Sequence, residues 1–301
     1  MQAETSFHAM GSTAHLLVVG PDPKADLDWA RTRLTELEAR WTRFSPDSEL
    51  SRLNESEGHP VMASPDTYRL IDHAVTAWER TSGRYNPNLL RSLTALGYDR
   101  TFTTIEHPSP VTGTLQGQSV AAIDLNPGLN AVTLPSGAGI DPGGIGKGLA
   151  ADMVVEELLA RGAHGAMVNL GGDIRAAGTP HDTNGWHITV ADPFDPEREM
   201  LRVEIPAGAI ATSSRLQRQW TNTNGNTLHH ILDPETGQPI DNDIAAVTVV
   251  AGEAWWAEAL TKAVFTAGVT HGLDQLTNAS GVIVDLDGNR HATPDLETAL
   301  R

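Results

Sequence analysis

The sequence predicts a mixed α and β fold in one compact unit, on three observations. Apolar residues recur at helical spacing from Asp26 to Trp41 and again after Ser64. Short apolar and β-branched runs alternate with Gly, Asn and Asp turns through the second half. No repeat, low-complexity tract or long linker divides the chain. Its 301 residues are therefore read as a single domain over 1–301, with room for two lobes.

Taken in order, Phe7 to Val19 reads as a strand pair around Gly11-Ser12-Thr13. Asp26 to Trp41 reads as a helix with Leu27, Ala30, Leu34, Leu37 and Trp41 on one stripe. A second helix starts at Ser64-Pro65, an N-cap followed by proline at the first helical position. Its stripe is Tyr68, Ile71, Val75 and Trp78, and Gly83 ends it. Thr101 to Leu134 alternates weakly and predicts strands and turns. Leu149, Met153 and Leu158 mark one face of a third helix that stops at Gly162. Ala166–Leu170, His187–Ala191, Leu201–Ile205, Leu228–Leu232 and Val247–Val250 read as strands. A late helix follows from about Glu253 to Ala267, and Gly281–Asp285 is a last strand.

Hydrophobic residues make up 40% of the chain and charged ones 20%, a globular balance. The net charge of −17 argues against a nucleic-acid partner or an anionic membrane surface. There is no cysteine, which excludes disulfides, thiolate metal sites and a cysteine nucleophile. Met1-Gln2-Ala3-Glu4 carries no secretory pattern, and no apolar run reaches membrane-spanning length. The expected location is the cytoplasm.

Ile140-Asp141-Pro142-Gly143-Gly144-Ile145-Gly146-Lys147-Gly148 places four glycines and one lysine at the start of the third helix. Amides at a helix start carry partial positive charge, and glycines let a ligand approach them. With Lys147 this makes an anion site, and phosphate is the obvious candidate. It is not a Walker loop, since Asp141 stands at the first position and Gly148 at the last. The dinucleotide fingerprint also fails, at Leu149. Read alone, the segment serves equally as a structural turn.

Other polar turns have the same double reading. Asn169-Leu170-Gly171-Gly172-Asp173 offers a close backbone approach and a carboxylate, and Ala211-Thr212-Ser213-Ser214 offers hydroxyls. His229-His230-Ile231-Leu232-Asp233-Pro234-Glu235-Thr236-Gly237 joins two histidines to an Asp-Pro turn. Each is common as plain punctuation.

In this order, however, the segments resemble the ApbE family of flavin transferases. The resemblance runs from Met10 to about Phe265. It takes in Met10-Gly11-Ser12, Phe44 to Asn54, Gly83-Arg84-Tyr85-Asn86-Pro87, Asp141 to Asp152, Val168 to Arg175, Ala211 to Ser214, His230 to Gly237 and Ala257 to Phe265. It implies an α+β, T-fold-like architecture, with mixed sheets and helices around a central FAD cleft. It also implies an enzyme that splits FAD, moves FMN to a Thr or Ser hydroxyl of an acceptor protein, and releases AMP.

By the same resemblance, Lys147 neutralises charge and His230 is the base. Phe44 stands where the family stacks a tyrosine ring on the flavin. Met10, Arg84, Tyr85, Asn86, Asp141, Asp173, Thr212, Ser213 and Ile231 fall on ligand-contacting positions. His229 is the weaker base candidate, since strand neighbours point to opposite faces. No segment here looks like an acceptor motif, so self-modification is not expected.

Two departures stand out. The family binds magnesium through an Asp and, four residues later, a Thr on the late helix, with a carbonyl from the Gly-rich turn. Those positions here are Glu258, Lys262 and Gly144, and Trp255 stands where some members place a further Asp. Magnesium needs oxygen ligands, and an ammonium is not one. Lys262, paired with Glu258, would then itself neutralise the pyrophosphate. The plain alternative is an exposed Glu–Lys pair worth about 0.2–0.5 kcal/mol. Asn86, where the family usually has Asp, removes one negative charge. Two other readings stay open: an FAD pyrophosphatase giving FMN and AMP, and a non-catalytic FAD-binding protein.

Overall fold

In the computed structural model, residues 1–109 and 119–300 are described. The chain opens with a hairpin of β1 (Gln2–Ala9) and β2 (Ser12–Val19). Met10 and Gly11 turn it, both in the left-handed region at φ 52° and 67°. Helix α1 (Pro23–Trp41) begins three residues before Asp26, because the Asp22 side chain accepts from the Ala25 amide and Pro23 suits the first turn. Its buried face contains Leu27, Ala30, Leu34, Leu37 and Trp41, as the spacing predicts.

A short α2 (Glu49–Asn54) and β3 (Val61–Met62) lead to α3 (Pro65–Arg80), capped by Ser64. The predicted stripe of α3 needs correction. Of Tyr68, Ile71, Val75 and Trp78 only Ile71 is fully buried, while Leu70, Ala74 and Ala77 are buried too. The helix wedges between two cores. Leu70, Ala74 and Ala77 join the main one, and Ile71 joins a smaller one with Leu50, Val132 and Ile140. A single-stripe reading misses a helix packed on two sides.

After α4 (Leu90–Ala95), strands β4 (Asp124–Asn126) and β5 (Ala131–Thr133) pair with β3 in the order β3-β5-β4. The part of the Thr101 to Leu134 expectation at 110–118 lies outside the described residues. Helix α5 (Gly146–Ala160) is buried on nearly every side, so the face of Leu149, Met153 and Leu158 is only part of its packing. Gly162, at φ 103°, takes the left-handed position past its end.

The strands that follow are β6 (Gly165–Leu170), β7 (Asp173–Gly178), β8 (Trp186–Ala191), β9 (Glu199–Ile205), β10 (Gly208–Ser214), β11 (Gln219–Thr221), β12 (Thr227–His229) and β13 (Ile244–Ala251). Helix α6 (Ala254–His271), β14 (Ser280–Asp285) and β15 (Arg290–Ala292) complete the chain. An antiparallel eight-stranded sheet runs β1-β2-β6-β7-β10-β13-β14-β15.

Ala211–Ser214 is therefore not a turn but part of β10, in the interior of that sheet. Its small hydroxyl residues suit a strand buried on both faces only because their polar atoms find partners there. The predicted strand Leu228–Leu232 stops at His229, and His230 leaves the ladder.

Residues of α1, α5 and α6 pack with the sheet in the main core. The β8–β9 hairpin covers the other face, with Trp186, Ile188 and Met200 against Ile174, Ile210 and Val282. Arg33 ties the helical side together, donating to Asp66 of α3 at 2.7 and 2.8 Å and to Glu157 of α5 at 2.9 Å. Among the described residues no helix is long and apolar enough to cross a membrane. The outcome is α+β.

Candidate functional site

Helices α5 and α6 touch at their N-termini, and glycine makes the contact possible. A Cβ on Gly148 would lie 2.3 Å from the Ala254 carbonyl oxygen. Each helix start is held by a carboxylate of the other. Asp152 of α5 accepts from the Ala254 and Trp255 amides at 2.9 and 2.8 Å. Glu258 of α6 accepts from the Gly148 amide at 2.8 Å. Free amides at both helix starts thus find acceptors without water. Burial pushes the Asp152 carboxyl up to about 7, against the pull of those two amides and of Arg175 at 3.2 Å.

Just before α5, Pro142–Gly144 forms a tight turn. A Cβ on Gly144 would lie 2.9 Å from the Tyr85 ring and 3.6 Å from Lys262 Cε, so only glycine fits between them. Lys147 pairs with Asp173 at the start of β7, and its Nζ lies 3.7 Å from Glu258 Oε1. Lys262 Nζ lies 3.7 Å from the same oxygen.

Glu258 is 0% exposed and Asp173 1%. Burial lowers the Lys147 pKa, but Asp173 and Glu258 outweigh it and the net shift is upward. Burial also pulls Lys262 down, with Glu258 and Asp173 opposing. Glu258 is pushed up by burial and by Asp173.

The far end of the cleft is aromatic. Arg43 stacks 4.3 Å over the Phe44 ring and 4.5 Å over Tyr98, and its Nε lies 3.3 Å from Asp141. Arg218 reaches from the turn after β10 to donate to the Gly11 carbonyl at 3.3 Å. Between these ends His230 faces the cleft. Burial and then Arg218, Lys262, His229 and Lys147 hold it well below the usual imidazole value, so it is neutral. His229 turns away. Its Nε2 donates to the Ile240 carbonyl and its Nδ1 accepts from the Ile231 amide.

The cleft measures about 590 Å³, within the range of ligand pockets. Arg43, Arg84, Lys147, Arg218 and Lys262 line it, against only Glu38 and Asp141 of opposite sign. In a chain of net charge −17, this local excess of positive charge suits an anion. Among the described residues, five of nine buried polar side-chain atoms without a hydrogen-bond partner belong to Arg43, Tyr85, Asp173, His230 and Glu258. Native interiors rarely leave such atoms unpaired except at functional sites.

The model of the ApbE family matches residues 10–284. The chain belongs to the ApbE family. Among curated relatives, an FAD:protein FMN transferase of Treponema pallidum is 28% identical, covering 91% of this chain and 81% of its own. One from Vibrio cholerae is 27% identical, with 90% and 83% covered. The crystal structure of the ApbE protein from Thermotoga maritima superposes with a TM-score of 0.87 at 25% identity, over all of both chains. The apo flavinyl transferase ApbE of Pseudomonas stutzeri has a TM-score of 0.84 at 20% identity, covering 99% of this chain and 96% of its own, and supports the fold.

On this ApbE frame, Met10, Phe44, Arg84, Tyr85, Asn86, Asp141, Gly144, Lys147, His230, Ile231 and Lys262 all line one cleft. Asp173 stands behind the wall as partner of Lys147. Thr212 and Ser213 do not line it. The Thr212 hydroxyl is bonded to Thr248 at 3.0 Å in a half-buried position, and that of Ser213 to Thr261 at 2.7 Å in the packed interior. Sequence reasoning also passed over Arg43, Tyr98 and Arg218. Arg43 directly precedes Phe44 and was open to notice, whereas Arg218 sits in no motif.

The magnesium that the ApbE resemblance implies does not fit these residues. Glu258 Oε2 is held by an amide, and Oε1 faces two ammonium groups. Asp173 is paired with Lys147. Among the described residues no three His, Asp or Glu side chains gather as a metal set. A dication entering here would meet two ammonium charges and no oxygen donor from position 262. Trp255 is buried against His73, with ring centroids 4.7 Å apart. The plain alternative for Glu258 and Lys262 also fails, since Glu258 is fully buried and Lys262 only 19% exposed, unlike an exposed surface pair.

Proposed function

We propose that this chain transfers the FMN moiety of FAD to a Thr or Ser hydroxyl of an acceptor protein, forming a phosphoester and releasing AMP. The observation that carries the reading is a neutral His230 in the same cleft as Lys147 and Lys262, with an aromatic clamp at the other end. Curated relatives across most of the chain are named FAD:protein FMN transferase.

In this reading Phe44, backed by Arg43, stacks on the isoalloxazine ring. The amides of Gly143, Gly144, Gly146 and Lys147, with the Lys147 ammonium group, hold the pyrophosphate. The acceptor hydroxyl oxygen attacks the FMN phosphorus and gives its proton to His230. The bond from that phosphorus to the bridging oxygen breaks, and the oxygen departs with AMP. Cationic groups that already face the cleft need no rearrangement to stabilise the charge on the transferring phosphoryl.

Mass spectrometry of the protein incubated with FAD and Thr- or Ser-containing acceptor peptides tests this. AMP together with a peptide heavier by one FMN is the expected result. Free FMN with AMP and no labelled peptide would instead make the chain a pyrophosphatase. Intact FAD under every condition would make it a binding protein.

A further inference from the structure

We propose that Lys262 and Lys147 together supply the positive charge on the FAD pyrophosphate, so that this cleft binds and cleaves its substrate without a divalent cation. The proposal rests on the reading above and adds what replaces the metal.

Three features of the cluster carry it. First, Lys262 is positioned as a ligand-facing group. Its Cε lies 3.6 Å from where a Gly144 side chain would begin, so its stem runs along the Gly-rich turn and its end opens on the cleft. Second, both carboxylates face lysines, although Asp173 Oδ1 and Glu258 Oε1 accept no hydrogen bond. Glu258 uses one oxygen for the Gly148 amide and turns the other to both lysines, while Asp173 pairs with Lys147. Third, the charges match. Two buried carboxylates, Glu258 and Asp173, lie beside the two lysines and oppose the burial that would favour their neutral forms. A pyrophosphate entering this arrangement adds the negative charge that Arg84 and Arg218, which line the same cleft, can take up.

The chemistry balances without a metal. The new bond joins the acceptor oxygen to the FMN phosphorus, and the electron pair of the broken bond stays on the bridging oxygen that leaves with AMP. His230 takes the hydroxyl proton. Both ammonium groups donate hydrogen bonds to phosphoryl oxygens and transfer no proton. Lysine serves well here as a compact point charge with three donors.

The test compares wild type with Lys262→Met and Lys262→Arg, each in chelator and in excess Mg²⁺. FAD affinity is read by flavin fluorescence, and AMP release separately. Wild type should keep its FAD affinity and AMP release within about twofold between the two conditions. Lys262→Met, which keeps the apolar stem, should bind FAD about tenfold more weakly and release AMP about 100-fold more slowly. Lys262→Arg should restore most of the binding.

The proposal is overturned if chelation lowers wild-type affinity or AMP release tenfold or more and Mg²⁺ restores it. It is equally overturned if Lys262→Met matches wild type in both. Should wild type release no AMP under any condition, the transfer reading fails, and FAD affinity alone then decides the role of Lys262.

Discussion

Gly148 and Glu258, 110 residues apart, are joined by a hydrogen bond of 2.8 Å from amide to buried carboxylate. That bond sets the distance between the cleft-facing start of α5 and the helix that carries Lys262. It survives only while residue 148 has no side chain, because a Cβ there would sit 2.3 Å from the Ala254 carbonyl oxygen. Gly148→Ala must therefore part the two helices, an overpacking cost of about 1–3 kcal/mol. The expected result is a thermal midpoint lower by roughly 3 °C or more, together with weakened FAD binding. An unchanged midpoint in differential scanning calorimetry would show that the helices tolerate the separation.

Arg43 acts through geometry as much as charge. Its guanidinium lies over both the Phe44 and Tyr98 rings, donates to the Tyr98 carbonyl at 2.7 Å and pairs with Asp141. A lysine keeps the charge but not the planar, multidentate contact. Arg43→Lys is expected to weaken FAD binding about tenfold, in line with a stacked cation worth about 0.5–2 kcal/mol. Near-wild-type affinity in Arg43→Lys, read by fluorescence titration, would mean that charge alone matters at this position.

What could be read from sequence was whatever is encoded locally. Caps at Ser64, the stripe of α1 and the Gly-rich turn before α5 follow from a few neighbouring residues. Strands β7 and β10 were not read, because their Gly, Ala, Thr and Ser residues resemble loop composition. Burial becomes tolerable for them only once Thr212 meets Thr248 and Ser213 meets Thr261, contacts 36 and 48 residues away. Arg218 reaches Gly11 across 207 residues of chain, and no local pattern encodes such a contact. Likewise the sequence places Glu258 and Lys262 four apart on a helix, but not whether that face is wet or buried.

His230 titrates against its surroundings. Burial and the nearby cations favour the neutral ring, so the base form persists below its ordinary value of 6.5. The acid limb of kcat/KM for AMP release is expected well under pH 6.5, with a flat profile above it. Removing one cation should let the ring protonate more easily, so Arg218→Met should move that limb upward. His230→Ala should lower kcat about 100-fold or more. An acid limb at or above pH 6.5 in wild type would remove His230 as the titrating base.

His229 makes a stability prediction of the opposite kind, because it is held for structure. Its Nδ1 accepts from the Ile231 amide at 3.3 Å and its Nε2 donates to the Ile240 carbonyl at 3.1 Å, a pattern that only the neutral ring satisfies. Burial, then Arg215, lower its pKa from 6.5 to about 4. In the unfolded chain the ring takes up a proton below pH 6.5, while the folded chain refuses it until about pH 4. Its contribution is therefore whole above pH 6.5 and is lost as pH falls towards 4. By pH 5 the loss amounts to about 2 kcal/mol. Urea midpoints at pH 7 and pH 5 for wild type and His229→Gln isolate this effect from the carboxylates, which both proteins share. Wild type should lose more stability than the variant between the two pH values. Equal losses would show that the ring is already protonated in the folded chain.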